Sequence, residues 1–290
     1  MSNPRANFVP IVDRPTLKLP HDARVGVILI VNVEQKPLDH PQGSPLSRQA
    51  PGSELLPEVP EFSRFEYGLR VGIWRILEAT TRLGIRPSMT LNGSVCDTYP
   101  RVVEATVGAS WDAVAHGYHQ RPLNKEPDER AVIRQTLDAI ERETGSRPLG
   151  WLGPGLIETH QTPDLLVEEG VKFVMDWVND DQPYDLMTSH GPLVAVPYSN
   201  EINDIPVYLR AGQPAGALRD MALDALNTLI HDVPSTARFL PVAVHPFIVG
   251  QPHRFGQFVD MIEQLKAHPN VVFMTATEVY HWHEANRGLV

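Results

Sequence analysis

The chain has 290 residues and a formal net charge of −10, from 25 Lys+Arg against 35 Asp+Glu. That length fits one enzyme-sized domain, and the acidic balance excludes the clustered positive surface that nucleic-acid binding needs. A single cysteine, Cys96, excludes an intrachain disulfide and a multi-thiolate metal site and is expected to be a small buried filler. No stretch reaches the roughly 20 apolar residues of a membrane span, and the first ten residues lack the charged-then-apolar order of a signal peptide. A soluble, cytoplasmic protein with a small-molecule substrate, no nucleic-acid partner and no membrane partner is expected.

Residues 1–22 are rich in proline and without periodicity, which predicts an arm laid over the main domain of residues 23–290. The run VGVILIV predicts a first strand, with Asn32 and Glu34 just past its end. Loop 35–61 follows, with prolines at 37, 41, 45, 51, 57 and 60. Proline at that density excludes helix and ladder, and a long loop leaving a strand end is expected to be a lid. From Phe62 the apolar residues Phe65, Leu69, Ile73, Ile76, Leu77 and Leu83 recur near every 3.6 residues, predicting a helix that Gly84 caps.

The alternation then continues. Strands are expected at 85–91, 111–115, 149–152, 171–175, 193–196, 240–245 and 271–274. Helices are expected around 99–108, 128–143, 163–169, 217–231, 254–267 and from Thr277. Apolar strands alternating with amphipathic helices predict an α/β fold of seven or eight parallel strands with helices outside. Both a closed barrel and an open doubly wound sheet satisfy that pattern. The first strand lacks the Gly-rich turn that nucleotide binding uses.

Polar and aromatic residues recur where the apolar runs end. In a parallel barrel all strand C-termini open on one face, where loops converge on a ligand. Glu34 fits a general base whose pKa burial would raise. His116 and His119 in AHGYHQ are metal-ligand types at a weakly specific spacing. His245, after LPVAV, fits a group that protonates a leaving atom. FVMDWVNDDQPY carries Asp176, Trp177, Asp180 and Asp181, and VPYSNEIND carries Tyr198, Asn200, Asn203 and Asp204. Taken singly, the Asn and Asp residues fit ordinary turn chemistry.

These segments in succession resemble the polysaccharide-deacetylase (NodB-homology) superfamily. They are the carboxylate after strand one, AHG, the run Arg147 to Trp151, DWVNDDQPY, VPYSNEIND, HPFIVGQPHR and HWH. The resemblance runs from about Ala23 to His283 and is strongest to the branch of cofactor-independent bacterial allantoinases and cyclic imide hydrolases. It implies a deformed (β/α) barrel, a homo-oligomer and hydrolysis of an amide-type carbon–nitrogen bond. It matches His245 to a late catalytic histidine. It also exposes departures: Glu34-Gln35 stands where deacetylases carry two aspartates, Gln120 where they carry the second metal histidine, and Leu152 where they carry an arginine.

The first expectation is therefore hydrolysis of a small cyclic amide, ureide or imide with no required cofactor. Glu34 is the base, His245 the acid, and His116 holds the oxyanion with Tyr118 or Gln120. Trp151 and Trp177 wall the pocket; His119, Asp181, Tyr198, Asn203 and Asp204 contact substrate. The alternatives are a metal-dependent N-deacetylase of a small amino sugar or oligosaccharide, using a divalent ion such as zinc on His116, His119 and Glu34, and a catalytically degenerate metabolite-binding relative.

Overall fold

The computed structural model describes residues 3–38, 57 and 59–287. Most of loop 35–61, and the expectation of a lid with it, lies outside the described residues. Nine strands are present among them: β1 Val25–Val33, β2 Ser88–Leu91, β3 Asp112–Ala115, β4 Gly150–Trp151, β5 Phe173–Val174, β6 Tyr184–Thr188, β7 Gly191–Ala195, β8 Arg238–Val244 and β9 Val271–Phe273. The sheet order is β6-β7-β5-β4-β3-β2-β1-β8, with β9 also paired to β1. Every pairing is parallel except β6 with β7. The eight strands expected from the sequence are these parallel ones. The hairpin strand β6 was not expected, because YDLMT is half polar and only partly buried.

β1, at nine residues the longest strand, is buried at every position, as a largely apolar run requires when both faces are covered. β8 pairs along residues 25–31, so β9 at 25–27 and β2 at 30–33 must share the opposite edge of β1. Between β7 and β8 the ring closes through loops instead of a ladder. Phe239 N–H donates to the Asp181 carbonyl at 2.9 Å and Ala243 N–H to that of Ile202 at 3.0 Å. The result is a deformed barrel.

The period of two along each strand sorts the core into two sets. Ile28, Ile30, Val114, Leu152, Phe173, Val194, Phe239 and Ala243 pack together inside the barrel. Val27, Leu29, Met89, Ala115, Trp151, Val174 and Val242 pack with the outer helices. Those helices are α1 Val59–Tyr67, α2 Ile73–Leu83, α3 Gly93–Thr98, α4 Pro100–Gly108, α5 Glu129–Thr144, α6 Thr162–Glu168, α7 Ala217–His231, α8 Pro246–Val249, α9 Pro252–Ala267 and α10 Ala276–Asn286. Extending the inward parity past the strand ends reaches Glu34, Asn92, His116, Tyr198 and His245. The residues 3–22 lie over the barrel: Ala237 N–H donates to the Leu17 carbonyl at 2.9 Å, and Arg14 pairs with Asp180 at 2.5 Å.

The helix expected from Phe62 to Gly84 is interrupted by a π turn, Gly68–Gly72. A Cβ on Gly72 would stand 2.0 Å from the Pro246 carbonyl oxygen, and one on Gly250 would stand 2.4 Å from Gly72 Cα. This glycine contact lets the π turn press on α8, the short helix that follows His245. Gly72→Ala should therefore lower stability by about 1–3 kcal/mol or more, read as a fall in the denaturant midpoint. An unchanged midpoint would show that α8 yields to the added methyl.

Candidate active site

Three side chains from three strand ends meet inside the barrel mouth. Glu34 Oε1 lies 3.2 Å from His116 Nε2 and 3.6 Å from His245 Nε2, and all three residues are buried. Each imidazole is fixed from behind. His116 Nδ1 is 2.6 Å from the Leu152 carbonyl oxygen. A carbonyl only accepts, so Nδ1 carries the proton, and Nε2 donates to Glu34 only in the doubly protonated form. His245 Nδ1 is 2.6 Å from Asp204 Oδ1, while Oδ2 of the same carboxylate accepts the His245 backbone N–H at 2.7 Å. Asp204 reaches that position because Asn203 bridges to Ala243 of β8.

The electrostatics overturn the expectation of a raised Glu34 pKa. Burial does push it up, but the charge of His245 and hydrogen bonds from both imidazoles outweigh burial and hold the carboxyl at about 2. His245 goes the other way. Burial favours its neutral form, yet the charges of Asp204 and Glu34 and their hydrogen bonds raise it to about 10. At neutral pH the site therefore holds a Glu34 carboxylate against a protonated His245.

A polar floor lies beneath this cluster. Asn32 Oδ1 accepts from Thr90 Oγ1 at 2.7 Å and from the Tyr198 hydroxyl at 3.5 Å, and its Nδ2 donates to the Val244 carbonyl. Asn203 Nδ2 donates to the Tyr198 hydroxyl at 3.3 Å. Burial, followed by the nearby Glu34 charge, raises the Tyr198 pKa and keeps it a neutral phenol. Beside the cluster, Asn92 accepts the Gln35 backbone N–H at 2.9 Å and donates to Gln120 Oε1 at 3.2 Å.

The structure thus brings Glu34, His116, His245 and Asp204 into contact, with Tyr198, Asn203 and Gln120 one residue away. Others among the expected site residues lie elsewhere. Trp151 is fully buried on the helix side of β4, opposite in parity to Leu152, so it does not wall the pocket. Asp181 pairs with Arg238 at the start of β8, the far end of the strand from His245. The Tyr118 hydroxyl donates to Asp97 at 2.6 Å on the exposed surface, and its ring packs edge-on against His119. Neither oxyanion contact nor substrate contact follows from those positions. Trp177 Nε1 donates to Glu158.

Asn92 and Glu158 were missed in the sequence. Asn92 ends a strand like the others but reads as the start of a helix. Glu158 becomes notable only beside Asp176, which is buried, accepts the Gly153 N–H at 2.6 Å and has its pKa raised by burial and then by Glu158. A cavity of about 1200 Å³ lies between the N-terminal arm, α7 and the start of β8. None of Glu34, His116 and His245 lines it, so the reacting cluster is identified by its chemistry and not by volume.

A barrel with a buried carboxylate–histidine cluster at its strand C-termini defines the class: a site arranged for acid–base proton transfer. Comparison with known proteins carries this further, although no family model matches the chain. A Schizosaccharomyces pombe protein that bears the name polysaccharide deacetylase is 24% identical over 288 residues, 90% of each chain. The peptidoglycan deacetylase of Helicobacter pylori is 25% identical over 209 residues, 71% of this chain and 69% of its own. The crystal structure of PuuE allantoinase superposes over 100% of both chains with a TM-score of 0.88 at 22% identity. A Pseudomonas aeruginosa PAO1 structure bearing the name polysaccharide deacetylase gives a TM-score of 0.81 at 24% identity, over 94% of this chain and 95% of its own. Names and folds together match the polysaccharide-deacetylase (NodB-homology) superfamily, with an allantoinase among its structural neighbours.

The resemblance to deacetylases implies a metal, and the residues here do not fit one of that type. Neutral amides, Gln35 and Gln120, stand at two of the three matching positions; Asn92 accepts the Gln35 backbone N–H and donates to the Gln120 side-chain oxygen. Amide oxygens are poor substitutes for the carboxylate and imidazole that zinc takes. Among the described residues no group of three or more His, Cys, Asp or Glu is placed to hold an ion.

Proposed function

We propose that this chain hydrolyses a carbon–nitrogen bond, other than a peptide bond, in a small cyclic amide, ureide or imide. The observation that carries the reading is His245, held protonated between Asp204 and Glu34 with its Nε2 facing the carboxylate. Hydrolysis of such a ring needs three things at one place: a base for water, positive charge for the oxyanion and a proton for the departing nitrogen.

Water attacks the ring carbonyl carbon and gives a proton to Glu34 as the carbon–nitrogen bond breaks. His245 Nε2 delivers its proton to the leaving nitrogen. Glu34 is a weak base at rest because His245 stabilises its charge. It gains basicity as His245 gives up its proton, since burial, which favours the neutral acid, then prevails. The two transfers are therefore coupled. Return of the proton from Glu34 Oε1 to His245 Nε2, 3.6 Å away, resets the site. His116, turned by the Leu152 carbonyl so that its Nε2 faces the site, is the oxyanion-side residue of this reading. Tyr198 and Asn203 are the substrate-facing hydrogen-bonding groups of this reading.

A screen of hydantoins, ureides and cyclic imides against the purified protein tests it: turnover of at least one ring is expected, and none across the set would defeat the proposal. The names of the curated relatives favour a second reading, metal-dependent N-deacetylation. The two separate on chelation. Activity should survive dialysis against EDTA, because Gln35 and Gln120 replace the ligands; stoichiometric zinc with activity lost on its removal would reverse the ranking.

A further inference from the structure

Beside the acid–base cluster lies a second group of charges that the hydrolytic steps above leave unused. Lys36, two residues past Glu34, places Nζ 3.4 Å from Glu61 Oε2, and Arg64 Nη2 lies 2.6 Å from the same oxygen. Lys36 and Arg64 are only 13% and 18% exposed, and Glu61 is 3% exposed. Two largely desolvated cations thus share this carboxylate. Among the described residues, the buried Nε and Nη1 atoms of Arg64 have no hydrogen-bond acceptor, an expensive state for a charged donor.

The group adjoins the reacting residues. The Arg64 guanidinium lies 5.3 Å from the Phe247 ring, and Phe247 lies 5.4 Å from the His245 imidazole. Lys36 sits 4.9 Å from the Phe65 ring, which stacks on Phe247 at 4.1 Å. One aromatic ring therefore separates the spare guanidinium donors from the proton donor of the site.

We infer that Arg64, with Lys36, binds an anionic group on the substrate, so that the hydrolysed amide carries a carboxylate beside its reacting ring. The inference rests on the hydrolytic reading for the location of the substrate. A carboxylate supplies the acceptors that Arg64 Nε and Nη1 lack among the described residues. The Phe65–Phe247 stack sets an apolar wall against both cations, and a low local dielectric strengthens such a pairing.

The test compares hydantoin-5-acetic acid with its neutral analogue hydantoin-5-acetamide, by calorimetric binding and by hydrolysis, using the full chain, Arg64→Met and Arg64→Lys. The wild type should prefer the acid by about tenfold to a hundredfold, as expected for a charge-assisted hydrogen bond. Arg64→Met should abolish the preference. Arg64→Lys keeps a cation for Glu61 and should retain part of it, which separates anion recognition from misfolding. Acid-selective, Arg64-dependent binding without turnover supports the anion site while counting against ring hydrolysis. Equal acceptance of the two probes, a preference unchanged in Arg64→Met, or no binding of the acid overturns the anion site, whether or not rings are hydrolysed.

Discussion

Glu34→Gln is expected to lower kcat by about 10²–10⁴-fold, the range for loss of a positioned base, with KM little changed. Glutamine keeps the size and one acceptor oxygen but cannot take a proton from water. The effect should extend beyond the missing base. Glu34 is one of two charges that hold His245 protonated, so any residual activity should lose its alkaline limb at a lower pH than wild type. Folding stability offers a check independent of substrate. A carboxyl at about 2 in the folded state against 4.5 ordinarily contributes stability above pH 4.5, and that contribution disappears as pH falls toward 2. The glutamine variant should lack this part of the acid-induced loss. Near wild-type turnover by Glu34→Gln would remove the carboxylate from the chemistry altogether.

The parity of side chains explains how much of this site the sequence displayed. Along VGVILIVNVE, Ile28, Ile30, Asn32 and Glu34 share one face by the period of two, so reading the strand correctly is enough to send Glu34 into the barrel. The same argument works for His116 after Val114 and for His245 after Ala243. It fails for Trp151, because β4 has only two paired residues and no alternation could be counted to show that Trp151 faces the helices. It fails for Asp181 because the chain after β5 runs irregularly back to the start of β8. The charge state of Glu34 was out of reach for a different reason. Burial follows from the apolar strand, but the two imidazoles that reverse its effect come from residues 82 and 211 positions further along the chain. Arg64 shows the same limit: on an amphipathic helix it reads as a solvated arginine, and only packing against Phe247 reveals buried donors that have no acceptor among the described residues.

The sharpest test of the proposed proton path is Asp204→Asn. Asparagine can still accept the His245 backbone N–H, and the ring can keep its place, but the charge that most raises the His245 pKa is gone. Burial then acts with less opposition and pulls the imidazole back from about 10 toward neutrality. The sign follows from the acid role: the reactive form carries the proton, so activity is present below the limb and lost as pH rises through it. Wild type should therefore hold a plateau through neutral pH and decline near 10, whereas Asp204→Asn should decline one or more units lower. Each unit of displacement costs about tenfold in activity at a pH above both limbs, while KM stays near wild type. At pH 6 the variant should recover most of that loss, because His245 is again protonated. His245→Asn has no such limb and should be slow at every pH. A purely structural Asp204 would instead reduce activity by one factor across the whole profile, without moving the limb. The stability profile must agree in sign: a histidine raised from 6.5 to about 10 contributes stability that is complete below pH 6.5 and is lost as pH climbs through 10. That alkaline loss should shrink in Asp204→Asn alongside the shift in rate, since both report the same proton.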